Sequence, residues 1–167
     1  MVASAKEYIA KNDRNAASIQ LKNALQKNPS LAEARFLLGK VNYDQGDYAG
    51  AEKELSRALD MGFSADDVVP LLARAMLAGG QGQRLITELG GKELSQPEAK
   101  ASLMTSKGFA LLQQGKRIPA QDEFNAAVKA SPGFPLARVG LARMRALDRD
   151  LDGAMVDVDA ILKDAPK

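Results

Sequence analysis

The stretch from Leu31 to Leu59, LAEARFLLGKVNYDQGDYAGAEKELSRAL, constrains the fold more than any other part of the chain. It reads as two short helices joined by a turn at Gly46-Asp47, because small and apolar residues recur at helical spacing on both sides of that turn. In its second helix, Ala51, Leu55, Ala58 and Leu59 form one apolar stripe. A hairpin of this size cannot bury both of its faces alone, so it needs further hairpins stacked against it.

Sliding the sequence against itself by about 34 residues finds them. Ala17 then falls on Ala51, Ala24-Leu25 on Ala58-Leu59, Leu38 on Leu72 and Gly46 on Gly80. After one extra residue the register resumes, with Gly108 on Ala142, Gly115 on Arg149, Ala120 on Ala154 and Pro132 on Pro166. Small residues recur where one helix backbone lies on another; a larger side chain there costs on the order of 1–3 kcal/mol through overpacking.

The spacing predicts a single array of about five helical hairpins over 1–167: a first unit at 1–31 that starts mid-helix, then 32–63, an eroded 64–97, 98–133 and 134–167. Predicted first helices are Ala3–Lys11, Ala32–Asp44, one from Ala65, Glu98–Gln114 and Pro135–Leu147. Predicted second helices are Asn15–Lys27, Tyr48–Met61, a short Gln83–Leu89, Pro119–Ala130 and Leu151–Lys163. Proline follows several of their ends, where it cannot extend the hydrogen-bond ladder. The start inside a helix and the close at Ala165-Pro166 suggest a segment of a longer array.

Composition narrows the function. Hydrophobic content is 46% with only 5% aromatics, which suits close-packed helices better than a β-sandwich. Twenty-three basic and 21 acidic residues give a net charge of +2, too balanced to favour nucleic acid. Cysteine and histidine are both absent, which removes thiol nucleophiles, Cys/His zinc sites and the usual imidazole base. No apolar run reaches the roughly 18 residues of a membrane span, and Met1 to Ala10 lacks the order of a signal peptide. Neither a cofactor nor a catalytic constellation is expected.

The pattern Leu38-Gly39, Tyr43, Gly46-Asp47-Tyr48, Ala51 and Ala58-Leu59 resembles the tetratricopeptide repeat (TPR), and the likeness extends over nearly the whole chain. It implies an all-α, right-handed superhelical array, an α-solenoid, whose first helices line a concave groove for peptides or proteins. A narrower likeness lies in NAASIQLKNALQKNPSLAEARFLLGK followed by GDYAGAEKELSRALDMG. These are similar to the N-terminal part of TPR lipoproteins encoded with bacterial PEP-CTERM/exosortase exopolysaccharide systems. That resemblance implies the periplasm or outer-membrane periphery, with a lipidated cysteine upstream of such a start; this sequence has no cysteine, and a cytoplasmic location stays open.

The candidate site residues lie on the first helices. The residue after each small Gly/Ala there is Lys6, Lys40, Arg74, Phe109 or Arg143. Four of these five are basic, and stacking would set them in a row that attracts an acidic peptide, a carboxylate or an anionic polysaccharide. Phe36 and Tyr43 beside Lys40, Leu77 beside Arg74 and Leu112 beside Phe109 add apolar contact. The plain alternative is an ordinary solvated helix face. The set differs from the carboxylate clamp of chaperone-binding TPR domains, since Phe36 stands one turn into the second unit and no Asn follows a small residue.

Three other motifs weaken on inspection. Asp148-Arg149-Asp150-Leu151-Asp152-Gly153, with Asp159 beyond, imitates a calcium loop, but the repeat register places a turn and a capped helix start there. Gly79-Gly80-Gln81-Gly82 lacks the strand and lysine of a phosphate loop. The pairs Glu52/Glu54 and Asp66/Asp67 meet no base or nucleophile. The expected function is a non-enzymatic protein-interaction scaffold in bacterial envelope, exopolysaccharide or protein-sorting machinery. The alternative is a recruiting arm of an enzyme whose catalytic domain lies outside this segment. Uncapped ends also suggest self-association.

Overall fold

Each helix start follows from a short local signal. In a computed structural model, which describes residues 1–164, Asp13, Asp47 and Asp150 accept hydrogen bonds from the backbone N–H groups of Ala16, Gly50 and Gly153 at 2.9–3.0 Å. Ser64 does the same for Asp67 at 3.4 Å. Such caps satisfy donors that the first helical turn leaves open, each worth about 1 kcal/mol. Ahead of the Asp caps, Asn12, Gly46 and Arg149 take left-handed backbone angles, as do Gly80 and Gly115.

Among the described residues there are ten helices and no strand. They are α1 (Val2–Ala10), α2 (Arg14–Lys27), α3 (Ala32–Asp44), α4 (Tyr48–Asp60), α5 (Ala65–Ala78), α6 (Gly82–Arg84), α7 (Pro97–Gln113), α8 (Arg117–Ala130), α9 (Pro135–Leu147) and α10 (Leu151–Asp164). The short α6 opens into a π-helical turn at Leu85–Leu89, where an ordinary helix was expected. Leu85 and Leu89 are both buried there, and Gly90 lies so close to the Ile86 carbonyl that a Cβ on it would be 2.3 Å away. α8 begins at Arg117, two residues before the proline that was expected to open it. Pro119 still falls in the first turn, where its missing N–H has no helical partner to lose.

Two compact units divide the chain, Met1–Gly80 and Gln81–Lys167. In the first, α3 closes over the α1–α2 hairpin. Ala34, Leu38 and Val41 of α3 share a buried cluster with Ala5, Ala17 and Leu21. α4 packs on α3 through Leu55, whose side chain fills the space a Cβ on Gly39 would need. In the second unit the same role falls to Phe124 of α8. Its ring is fully buried between the backbones of Gly108 on α7 and Gly140 on α9, with Met144, Leu141 and Leu112 around it.

A charged pair is carried inside the first unit. Arg35 and Glu54, both 9% exposed, form an ion pair at 2.7 Å. Arg35 also donates to the Pro29 carbonyl at 3.1 and 2.8 Å, so it fastens α4 and the α2–α3 loop to α3. In α7 the buried hydroxyls of Thr105 and Ser106 donate to the carbonyls of Ala101 and Ser102, one turn back.

Candidate functional site

On α3, Phe36, Lys40 and Tyr43 stand one turn apart and so share one helix face. The first unit continues that face onto both neighbouring helices. Lys6 of α1 reaches α3 through an ion pair with Glu33 at 2.6 Å. Phe36 stacks on Phe63, just before α5, with ring centroids 4.8 Å apart and planes 19° from parallel. Arg74 of α5 lies over the Tyr43 ring, 5.0 Å from its centroid, and its guanidinium donates to the Tyr43 hydroxyl at 3.4 Å. The Tyr43 ring also meets that of Tyr48, tilted at 56° with centroids 5.7 Å apart. Leu77 follows Arg74 by one turn and is half-buried.

The cations on this strip differ in state. Lys6 already has a carboxylate partner. Lys40 is exposed and has no ion pair among the described residues. Arg74 is exposed too, and its guanidinium is oriented by an aromatic ring rather than by an anion. A stacked arginine keeps its outward N–H groups available to a carboxylate while losing little rotamer freedom on binding. Lys40, Tyr43 and Arg74 therefore form a short, partly ordered cationic and aromatic surface. Glu33 joins the strip through Lys6; spacing alone does not mark it, because which lysine it meets depends on how α1 and α3 are rotated against each other.

In the second unit the remaining candidates separate. Phe109 packs edge-on against the buried Phe124, at 5.0 Å and 64°, and Leu112 borders the same cluster. Both brace the core, with one edge left partly exposed. Arg143 is exposed and lines an apolar groove of about 490 Å³ on α9 and α10, with Val139, Leu151, Met155 and Val158 among its neighbours. A second cleft of about 360 Å³ crosses α8, α9 and α10. Its arginines, Arg138 and Arg145, are already paired with Asp164 at 2.7 Å and Asp157 at 3.3 Å.

The calcium-like run is resolved by its hydrogen bonding. Asp150 is the cap of α10, Asp148 pairs with Arg117, and Asp159 sits two turns along the helix. Among the described residues no three carboxylates are grouped to hold a metal ion. We expect calorimetric titration with calcium to give only heats of dilution; a saturable isotherm of unit stoichiometry would contradict the capping role.

Serial helical hairpins, with a strip of side chains shared by the first helices α1, α3 and α5 of the first unit, define the class of helical-repeat interaction proteins. The tetratricopeptide repeat family model matches residues 2–66 and 106–167, and the chain belongs to that family. Its backbone is similar to that of YrrB, described as a TPR protein with an unusual peptide-binding site, with 20% identity, a TM-score of 0.70, and coverage of 99% of this chain and 85% of that one. It is also similar to pilF of Pseudomonas aeruginosa, with 18% identity, a TM-score of 0.73, and 99% and 75% coverage. PilW, a type IV pilus biogenesis factor, gives 19% identity, a TM-score of 0.70, and 98% and 73% coverage. Among curated protein sequences no relative matches significantly. At such identities these likenesses establish the fold alone. Among the described residues no helix is long and apolar enough to cross a membrane.

Proposed function

We propose that the protein is a non-enzymatic interaction scaffold that binds an extended, acidic segment of a protein partner along the α1–α3–α5 strip. The observation that carries this reading is Arg74, held over the Tyr43 ring beside an exposed Lys40 with no counter-ion among the described residues. An acidic side chain or a chain-terminal carboxylate would bridge Lys40 and Arg74, while Phe36 and Tyr43 supply apolar contact to the backbone beside it. The family supports a protein or peptide as the ligand, and YrrB shows that a related fold carries a peptide site.

The proposed setting is bacterial envelope assembly, at the periplasm or outer-membrane periphery, serving exopolysaccharide export or protein sorting. It is supported by the sequence likeness of residues 15–40 and 46–62 to the TPR lipoproteins of PEP-CTERM systems, and by a fold shared with a pilus biogenesis factor. Affinity capture from native envelopes tests both parts, with the wild-type chain and a Lys40→Glu/Arg74→Glu variant as baits. The variant should retain its helical circular dichroism, since both side chains are exposed, and should lose partner capture by about tenfold or more, in line with two charge-assisted contacts. Equal capture by the two baits would remove the strip from consideration.

A further inference from the structure

In the register of about 34 residues, α3 and α5 of the first unit carry matching side chains in four rows, about one helical turn apart. Glu33 and Asp67 make the first row, Phe36 and Pro70 the second, Lys40 and Arg74 the third, and Tyr43 and Leu77 the fourth. Phe63 widens the second row by stacking on Phe36, with centroids 4.8 Å apart. Arg74 ties the third row to the fourth, its guanidinium 5.0 Å from the centre of the Tyr43 ring. The apolar members of both flanking rows are half-buried, and Lys40 and Arg74 are exposed. The cations are thus bounded by apolar surface on two sides. Past the Phe36 row the charge changes sign: Glu33 meets Lys6 at 2.6 Å and keeps about half of its side chain exposed, and Asp67 is exposed.

Resting on the reading that this strip binds an acidic segment, we infer that the segment passes through the valley between α3 and α5 with one internal Asp or Glu at the Lys40–Arg74 row and an apolar residue two positions to either side. Alternate side chains of an extended chain point the same way at intervals of about 6.6 Å. Rows one helical turn apart are spaced by about 5.4 Å, a difference within the reach of long cationic side chains. A segment that ended at the cations in a chain-terminal carboxylate would use only one of the two apolar rows. A run of acidic residues would set carboxylates against Glu33 and Asp67, where like charges repel. The order of the rows therefore selects a single acid within an apolar frame, carried inside a chain.

Two display libraries of random nonapeptides, selected on the full chain, test this. One holds the peptide between fixed flanking sequences, and the other ends in a free C-terminus. The first should enrich segments with an apolar residue two before and two after an Asp or Glu. Enriched peptides are then synthesised with both ends blocked and titrated by fluorescence anisotropy. Exchanging the acid for its amide should weaken binding by about tenfold, and exchanging either apolar residue for serine by about fivefold. Truncation just after the acid, leaving a free carboxylate, should also cost about fivefold. Enrichment of acidic runs, enrichment in the free-terminus library alone, or affinity that survives serine at both apolar positions would overturn the inference; if Lys40→Glu/Arg74→Glu still abolishes that binding, the strip itself stands. Equal binding of the enriched peptides by the Lys40→Glu/Arg74→Glu variant, or no enrichment in either library, would overturn the strip reading and this inference with it.

Discussion

Replacing Phe124 with alanine will destabilise the second unit by about 4 kcal/mol, the middle of the range for truncating a buried aromatic ring. The size of the effect follows from the shape of the site. The ring is completely buried and occupies space that exists only because residues 108 and 140 have no side chain. A Cβ at Gly140 would lie 2.4 Å from a ring carbon, and one at Gly108 2.5 Å from another. The backbones of α7 and α9 are therefore held at a spacing set by the ring, and its removal leaves a cavity that rigid helices cannot easily close. Gly140→Ala alone should cost about 2 kcal/mol through overpacking. Combined with Phe124→Leu it should cost less than the two single changes added together, since the smaller side chain vacates the volume the methyl needs. Urea denaturation followed by circular dichroism measures all four proteins. Additive losses would mean that ring and glycines are not packed as one element.

Arg35→Ala will cost about 3 kcal/mol, because it strands Glu54 inside the protein without its partner. Arg57 is the other cation near Glu54, at 3.7 Å and half-exposed, too distant to replace a 2.7 Å contact. The Pro29 carbonyl also loses both guanidinium hydrogen bonds. An isolated buried ion pair gains little net stability over apolar residues of similar volume, since desolvation of both charges offsets their attraction. An Arg35→Met/Glu54→Leu protein should therefore be considerably more stable than Arg35→Ala. What it should lose is the tether from α3 to the α2–α3 loop, visible as faster amide hydrogen exchange around Ser30 and Leu31. A double variant as unstable as the single one would show that the charges themselves hold the unit together.

These two sites mark the boundary of what the sequence discloses. The helices α3 and α9 end where proline, glycine and the period place their ends, at Ala32–Asp44 and Pro135–Leu147. Small residues at Gly39 and Gly108 could be read as close backbone approaches, and they are. Phe124 was legible as core, but its second glycine neighbour, Gly140, comes from the next hairpin and has no counterpart in local spacing. Glu54 interrupts the apolar stripe of Ala51, Leu55 and Ala58, and a carboxylate at such a place needs a buried cation. At the site, spacing located the shared face of Phe36, Lys40 and Tyr43. It was silent on which cations are already neutralised, because the Lys6–Glu33 pair depends on the rotation of one helix against another. The π turn at Leu85–Leu89 was equally hidden, since helix and π turn use the same apolar letters.

Four times within a unit the chain reverses between paired helices, and at each reversal one residue takes a positive φ: Asn12 at 59°, Gly46 at 79°, Gly115 at 73° and Arg149 at 66°. Only two of these are glycine. An arginine in the left-handed basin carries a local penalty on the order of 1 kcal/mol, and it is tolerated because the packing of α9 on α10 and the Asp150 cap impose the reversal from outside. The dihedral angles thus keep a ledger of the repeat that the letters have begun to lose. A hairpin whose glycine has drifted to another residue still shows its turn in the sign of one torsion, a sign that Gly62 at 80° also carries between hairpins.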